Sequence, residues 1–148
     1  MHTLKTYDPF TAPADFRAYA YTNIVLAFET KSVRILDARY SKKVLSDECG
    51  VHVLMLAKLP DVQTEVNRKW SPDEFVIFYG EGSGYECLFK RLRDSFAHGH
   101  FCTQRRGWIT LRHQYKGRDK KMATRLFGNL KISTLRKLVT FLAEPIRT

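Results

Sequence analysis

Ser83-Gly84-Tyr85-Glu86-Cys87-Leu88-Phe89-Lys90-Arg91-Leu92-Arg93-Asp94-Ser95-Phe96-Ala97-His98-Gly99-His100-Phe101 is the stretch on which the reading of this chain turns. Ser83 with Glu86 has the form of a capping box, and Leu88, Leu92 and Phe96 recur at the spacing of one helical face. A helix over Gly84–Ala97 is therefore predicted, with Gly99 as its stop. Asp94 and His98 would share a face on a continuing turn, where the carboxylate can orient the imidazole and support its protonated form. Arg93 lies about 140° around an ideal helix from His98, at about 100° per residue. The two can meet one ligand only if the helix ends near His98 or a second chain contributes.

Upstream, Phe16, Tyr19, Ala20, Ile24, Ala27, Phe28, Ile35 and Leu36 keep largely helical spacing, and Pro13 suits an opening turn. One long helix over 14–40 is predicted. A second is expected from Ser41 or Val44 to the residue before Pro60, with Gly50 weakening its middle. Asp61–Trp70 reads as a short helix, and Ser71-Pro72-Asp73-Glu74 as the start of another running through Tyr79. Phe75–Tyr79 followed by Gly80, Gly82 and Gly84 also admits a strand, glycines and a helix, the opening of a dinucleotide-binding unit. The glycine spacing departs from that fingerprint and no lysine follows as in a P-loop, so a loop before the motif helix is preferred.

Downstream, Trp108–Tyr115 alternates apolar and polar residues, Lys116-Gly117-Arg118-Asp119 supplies a turn, and Met122–Ile132 can return as a second strand, which predicts a β-hairpin. Ser133 is expected to cap a last helix over Thr134–Ala143, with Leu135, Leu138, Val139 and Leu142 as its apolar stripe and Pro145 ending it. These elements predict a mainly α fold, a bundle of four or five helices with a hairpin near the C-terminus. A single domain over 1–148 is expected, with 1–101 as the bundle and 102–148 as the hairpin and final helix.

The 148 residues, 44% hydrophobic and 13% aromatic, suffice for one buried core. No apolar run approaches the roughly 20 residues needed to span a bilayer, and the first residues lack the apolar stretch of a signal peptide. A cytoplasmic protein with no membrane association is expected. Cys49, Cys87 and Cys102 are an odd set without paired short spacing, which argues for reduced thiols. His98, His100 and Cys102 alternate and could converge on a metal, but no second ligand pair is evident. Neither a metal nor a cofactor is expected.

Charge is unevenly distributed. Residues 86–125 hold eleven Lys or Arg against three Asp or Glu, whereas 1–85 hold ten basic and eleven acidic groups. A polyanion is the natural partner of such a segment. Lys90, Arg91, Arg105, Arg106, Arg112, Lys116, Arg118, Lys120 and Lys121 are the candidate nucleic-acid-binding residues; from Arg105 on they are interleaved, together with Arg125, with Trp108, Tyr115 and Phe127, which could stack on bases.

The motif inside Leu92–Phe101, an Arg, a polar residue, three more residues and a His, resembles the signature of HEPN domains, small helical domains of which many are ribonucleases. The polar residue is commonly Asn there, and Asp94 is a mild departure. The resemblance implies a HEPN-like helical bundle and metal-independent cleavage of RNA at a cleft between two protomers, with Arg93 and His98 catalytic and Asp94 orienting the His. Attack by the ribose 2′-hydroxyl would leave a 2′,3′-cyclic phosphate, and DNA would resist. It also implies a homodimer of toxin or abortive-infection type, and a possible antitoxin protein as partner. The alternative is a HEPN-like module that binds nucleic acid or a partner protein without cutting. A third, weaker reading is a DNA-binding protein with its last helix in a major groove.

Overall fold

The structure, a computed structural model, describes residues 8–68, 74–116 and 121–146. Helix α1 follows Pro13 as Ala14–Ala20, continues as a π-helical stretch Tyr21–Leu26, and closes as Ala27–Glu29. It buries Phe16, Ala20, Ile24, Val25 and Ala27. The helix expected over 14–40 stops here because Lys31 turns the chain at φ 54° and Ser32 closes on the Ala27 carbonyl at 3.1 Å. Val33–Ile35 is instead strand β1, in keeping with its β-branched residues.

Ser41 accepts a hydrogen bond from the Val44 amide and caps α2, Lys42–Cys49. Gly50, at φ 73°, terminates α2 in the left-handed conformation rather than weakening a longer helix. The apolar run beyond it is β2, His52–Leu56. Pro60, expected as a stop, stands in the first turn of α3, Leu59–Asn67, where a missing amide hydrogen costs nothing. Phe75–Tyr79 is β3 and not a helix. Val76, Ile77 and Phe78 are fully buried, as expected of a strand covered on both faces. Ser71, Pro72 and Asp73, read as a helix start, lie outside the described residues. Glycines then lead into α4, Gly84–Ala97, with the predicted bounds. Ser83 occupies its N-cap position without a side-chain bond, so the capping box is not formed.

After β4, Phe101–Cys102, the predicted hairpin forms as β5, Trp108–Lys116, and β6, Met122–Lys131; residues 117–119 of its expected turn lie outside the described residues. Helix α5, Ile132–Leu142, begins ahead of Ser133, and β7, Ala143–Pro145, takes in the proline read as a simple stop. The five-stranded sheet has the order β2-β3-β6-β5-β4, with β2 and β3 parallel and the remaining pairs antiparallel. Strands β1 and β7 form a separate antiparallel pair in which Arg34 faces Glu144.

Side-chain alternation gives the sheet two apolar faces. One carries Val53, Val76, Phe78, Ile109, Leu111, Leu126 and Leu130 into a core shared with α1, α2, α4 and α5. On the other, Phe75 and Ile77 pack with Val62 of α3. The expected mainly α, HEPN-like bundle is therefore overturned. The protein is a mixed α/β fold with a five-stranded sheet, a two-stranded sheet and five helices among the described residues. The expected bundle segment, 1–101, itself contains β1 to β4, and the hairpin is the middle of the sheet rather than an appendage. Short apolar runs such as 52–56 and 75–79 fit either period, and pairing decided them. No helix among the described residues is long and apolar enough to cross a membrane.

Candidate functional site

The C-terminal end of α4 is closed by Gly99 at φ 69°. The Gly99 amide donates to the Phe96 carbonyl at 3.3 Å and the His100 amide to the Ser95 carbonyl at 2.8 Å, the two bonds of a Schellman motif. The Ser95 hydroxyl donates to the His100 carbonyl at 2.8 Å, and the Arg112 amide reaches the same oxygen at 3.1 Å. This turn folds His100 back beside His98, and the β4–β5 register that pairs Phe101 with Leu111 brings His113 alongside.

Three imidazoles meet there. The rings of His98 and His113 stack at 5.6 Å with 16° between their planes, His98 and His100 lie 5.8 Å apart, and His100 and His113 5.2 Å apart. His100 Nδ1 and His113 Nδ1 are 3.1 Å apart, so one donates a proton and the other accepts it. Exposure falls along the cluster: His98 is open, His100 half-buried and His113 5% exposed. Burial, then its two imidazole neighbours, then Arg125 and Arg91, push the His113 pKa down to about 3. Burial, and His98 after it, also lower that of His100. Both rings are thus held neutral near neutral pH, with lone pairs able to accept a proton.

The candidate catalytic residues are only partly brought together. Arg93 directs its guanidinium to Glu29 at 3.2 Å, to Asp94 at 3.1 Å and over the Phe28 ring at 4.9 Å, so it faces the end of α1 rather than the imidazoles. The Asp94 carboxylate binds Arg93 and, at 3.7 Å, Arg91. It organises guanidinium groups rather than the His98 ring; His98 takes only the helical bond from its amide to the Asp94 carbonyl, at 3.1 Å. Arg91 is buried and donates from Nε to the Tyr79 carbonyl at 3.1 Å, and its charge, like that of Arg125, disfavours a proton on His113. Sequence reading missed His113 as a member of the site and had Arg125 only among the basic residues interleaved with the aromatics. The available signal was His113 in a strand whose Ile109 and Leu111 mark a core-facing alternation, a place where histidine is costly without a partner.

Lys90, Arg105, Arg106, Lys116 and Lys121 are exposed, whereas Arg112 is buried. Arg112 stands 5.8 Å over the ring of Phe127, its partner across the β5–β6 pair, and is buried, so it is no open phosphate contact. Arg118 and Lys120 lie outside the described residues. Each interleaved aromatic ring already carries a cation of this chain: Arg105 at 3.7 Å and Lys131 at 5.9 Å over Trp108, Arg125 at 3.5 Å over Tyr115. Cys49, Cys87 and Cys102 are free thiols, and Cys102, 1% exposed, has its pKa raised first by burial. Among the described residues no group of three or more His, Cys, Asp or Glu side chains is arranged to hold a metal ion.

Compared with family models, curated proteins and solved structures, the chain matches none.

Proposed function

We propose that the protein is an endoribonuclease that cleaves RNA at the His98–His100–His113 cluster by attack of the ribose 2′-hydroxyl. The observation that carries this reading is the cluster itself: three imidazoles in mutual contact, graded from solvent to core, within the basic part of the chain. His100, half-buried and held neutral, takes the 2′-hydroxyl proton as the 2′-oxygen bonds to phosphorus. His98, the open member, gives a proton to the departing 5′-oxygen as its bond to phosphorus breaks. The products are a 2′,3′-cyclic phosphate and a 5′-hydroxyl. His113 shares a proton with His100 and fixes its ring. Arg93, expected to act directly, is a positioning group in this reading, because through Asp94 it sets Arg91.

Imidazoles and guanidiniums of a single chain suffice for this chemistry, so the homodimer expected from sequence is not required by it. RNA of mixed sequence, incubated with purified protein in the presence of a chelator, should be cut to ends that resist ligation until the cyclic phosphate is opened. His98→Ala should lower the rate by about 100-fold or more while the protein stays folded by circular dichroism. Undiminished cutting by folded His98→Ala rules the assignment out. Salt-dependent RNA binding with no cleavage by wild type would instead select the binding module, which the aromatic rings already covered by cations of this chain do not favour for base stacking.

A further inference from the structure

Next to the imidazoles, two guanidinium groups are brought to one corner with too little negative charge to satisfy both: Arg91 donates from Nε to the carbonyl of Tyr79, and Phe78, the residue before Tyr79, pairs with Leu126, the residue after Arg125. Arg91 is 8% exposed, and its Nη1 is buried with no hydrogen-bond partner. Its closest carboxylate oxygen, on Asp94, is 3.7 Å away, and the same carboxylate lies nearer to Arg93, at 3.1 Å. Glu29 is engaged by Arg93 as well. Arg125 rests its guanidinium on the Tyr115 ring at 3.5 Å, and its Nε is likewise buried without a partner. The register irregularity between β5 and β6, where His113 pairs with Leu126 and Gln114 with Thr124, leaves Arg125 unpaired and free to turn toward this corner. The charges of Arg91 and Arg125 act on one another and on His113.

Buried donors and unbalanced positive charge are both relieved by an anion that brings several acceptor oxygens. Guanidinium forks match the oxygens of a phosphoryl group in pairs, and neutral imidazoles can add single N–H donors. We propose that Arg91 and Arg125 form a seat for one phosphoryl group, which places an RNA phosphate against the His98–His100–His113 cluster. The identity of the phosphate as that of the scissile bond rests on the ribonuclease reading above; the seat itself does not.

The test is thermal unfolding of the full chain in increasing inorganic phosphate, with chloride adjusted to hold ionic strength constant. Wild type should show a midpoint that climbs with phosphate and saturates. Arg125→Gln, at a half-exposed position, should weaken the apparent phosphate affinity at least tenfold. Arg91→Gln should do the same, and if that variant fails to fold, Arg125→Gln alone decides. A wild-type midpoint indifferent to phosphate, or an unchanged response in Arg125→Gln, overturns the seat even if RNA is cut. An equal response to acetate assigns the corner to carboxylates and also overturns it. Arginine-dependent phosphate binding in a protein that cuts no RNA leaves the seat standing and removes the ribonuclease reading.

Discussion

His113 is a titratable ring placed where a leucine would ordinarily sit, and its proton is the most consequential in the molecule. The native ring binds a proton only near pH 3, while the unfolded chain does so at about 6.5. Between those values the unfolded state holds more protons, so the stability His113 permits is complete above about pH 6.5 and is lost as the pH falls toward 3. The shift at His100 has the same sign. Urea denaturation should show wild type losing about 2 kcal/mol between pH 7 and pH 5, with a distinctly flatter dependence in His113→Leu. Identical slopes in the two proteins would contradict the origin given to this proton. None of this was legible from residues 98–101 alone. The motif pointed to His98 alone, with His100 read as part of the turn, and the third ring comes from a strand and reaches them only through tertiary pairing. Arg93 and Asp94 were equally visible in sequence. What sequence could not supply was the position of Glu29 and Phe28, which draw the Arg93 guanidinium to α1.

At the scale of elements, α4 was readable because Leu88, Leu92 and Phe96 repeat over a span long enough to fix the period, and β5 and β6 because alternation flanked a glycine-containing turn. The failures share a cause. Val53-Leu54-Met55 and Phe75–Phe78 are short and apolar, local sequence leaves their period open, and burial on both sheet faces makes them strands. Gly50 and Pro60 were assigned to the interior and end of a helix that does not exist; they punctuate two shorter ones. The packing of α4 also gives Gly84 a role that its position in a glycine-rich loop concealed. A Cβ there would lie 2.7 Å from Cβ and Cγ of Tyr40, atoms near the root of a side chain that cannot swing aside cheaply. Tyr40 in turn donates to the Val53 carbonyl at 3.2 Å and packs on Tyr85. Gly84→Ala should therefore destabilise by about 1–3 kcal/mol, despite alanine's better helix propensity. Thermal or urea unfolding measures this, and a variant as stable as wild type would show that the Tyr40 contact yields freely.

For the whole molecule, the formal net charge of +10 was available from composition, as was its concentration after residue 85. Composition could not say which cations face solvent. Lys90, Arg105, Arg106, Lys116 and Lys121 do, whereas Arg91 and Arg112 are buried. The exposed group predicts RNA affinity that falls by about tenfold or more between 50 and 200 mM salt, from counterion release at several phosphates. Fluorescence anisotropy with a labelled single strand measures it, and an affinity indifferent to salt would mean that the exposed cations make no phosphate contacts.

The strand order carries a consequence for synthesis. β6 is among the last strands to be made, yet it lies between β3 and β5. Until residue 131 has left the ribosome, the growing chain holds β3 with a bare inner edge and β5 without its central neighbour. A translation product halted before Met122 would be exposed to sticking edge to edge with its own copies, which makes termination ahead of β6 a source of aggregates rather than of shortened, working protein.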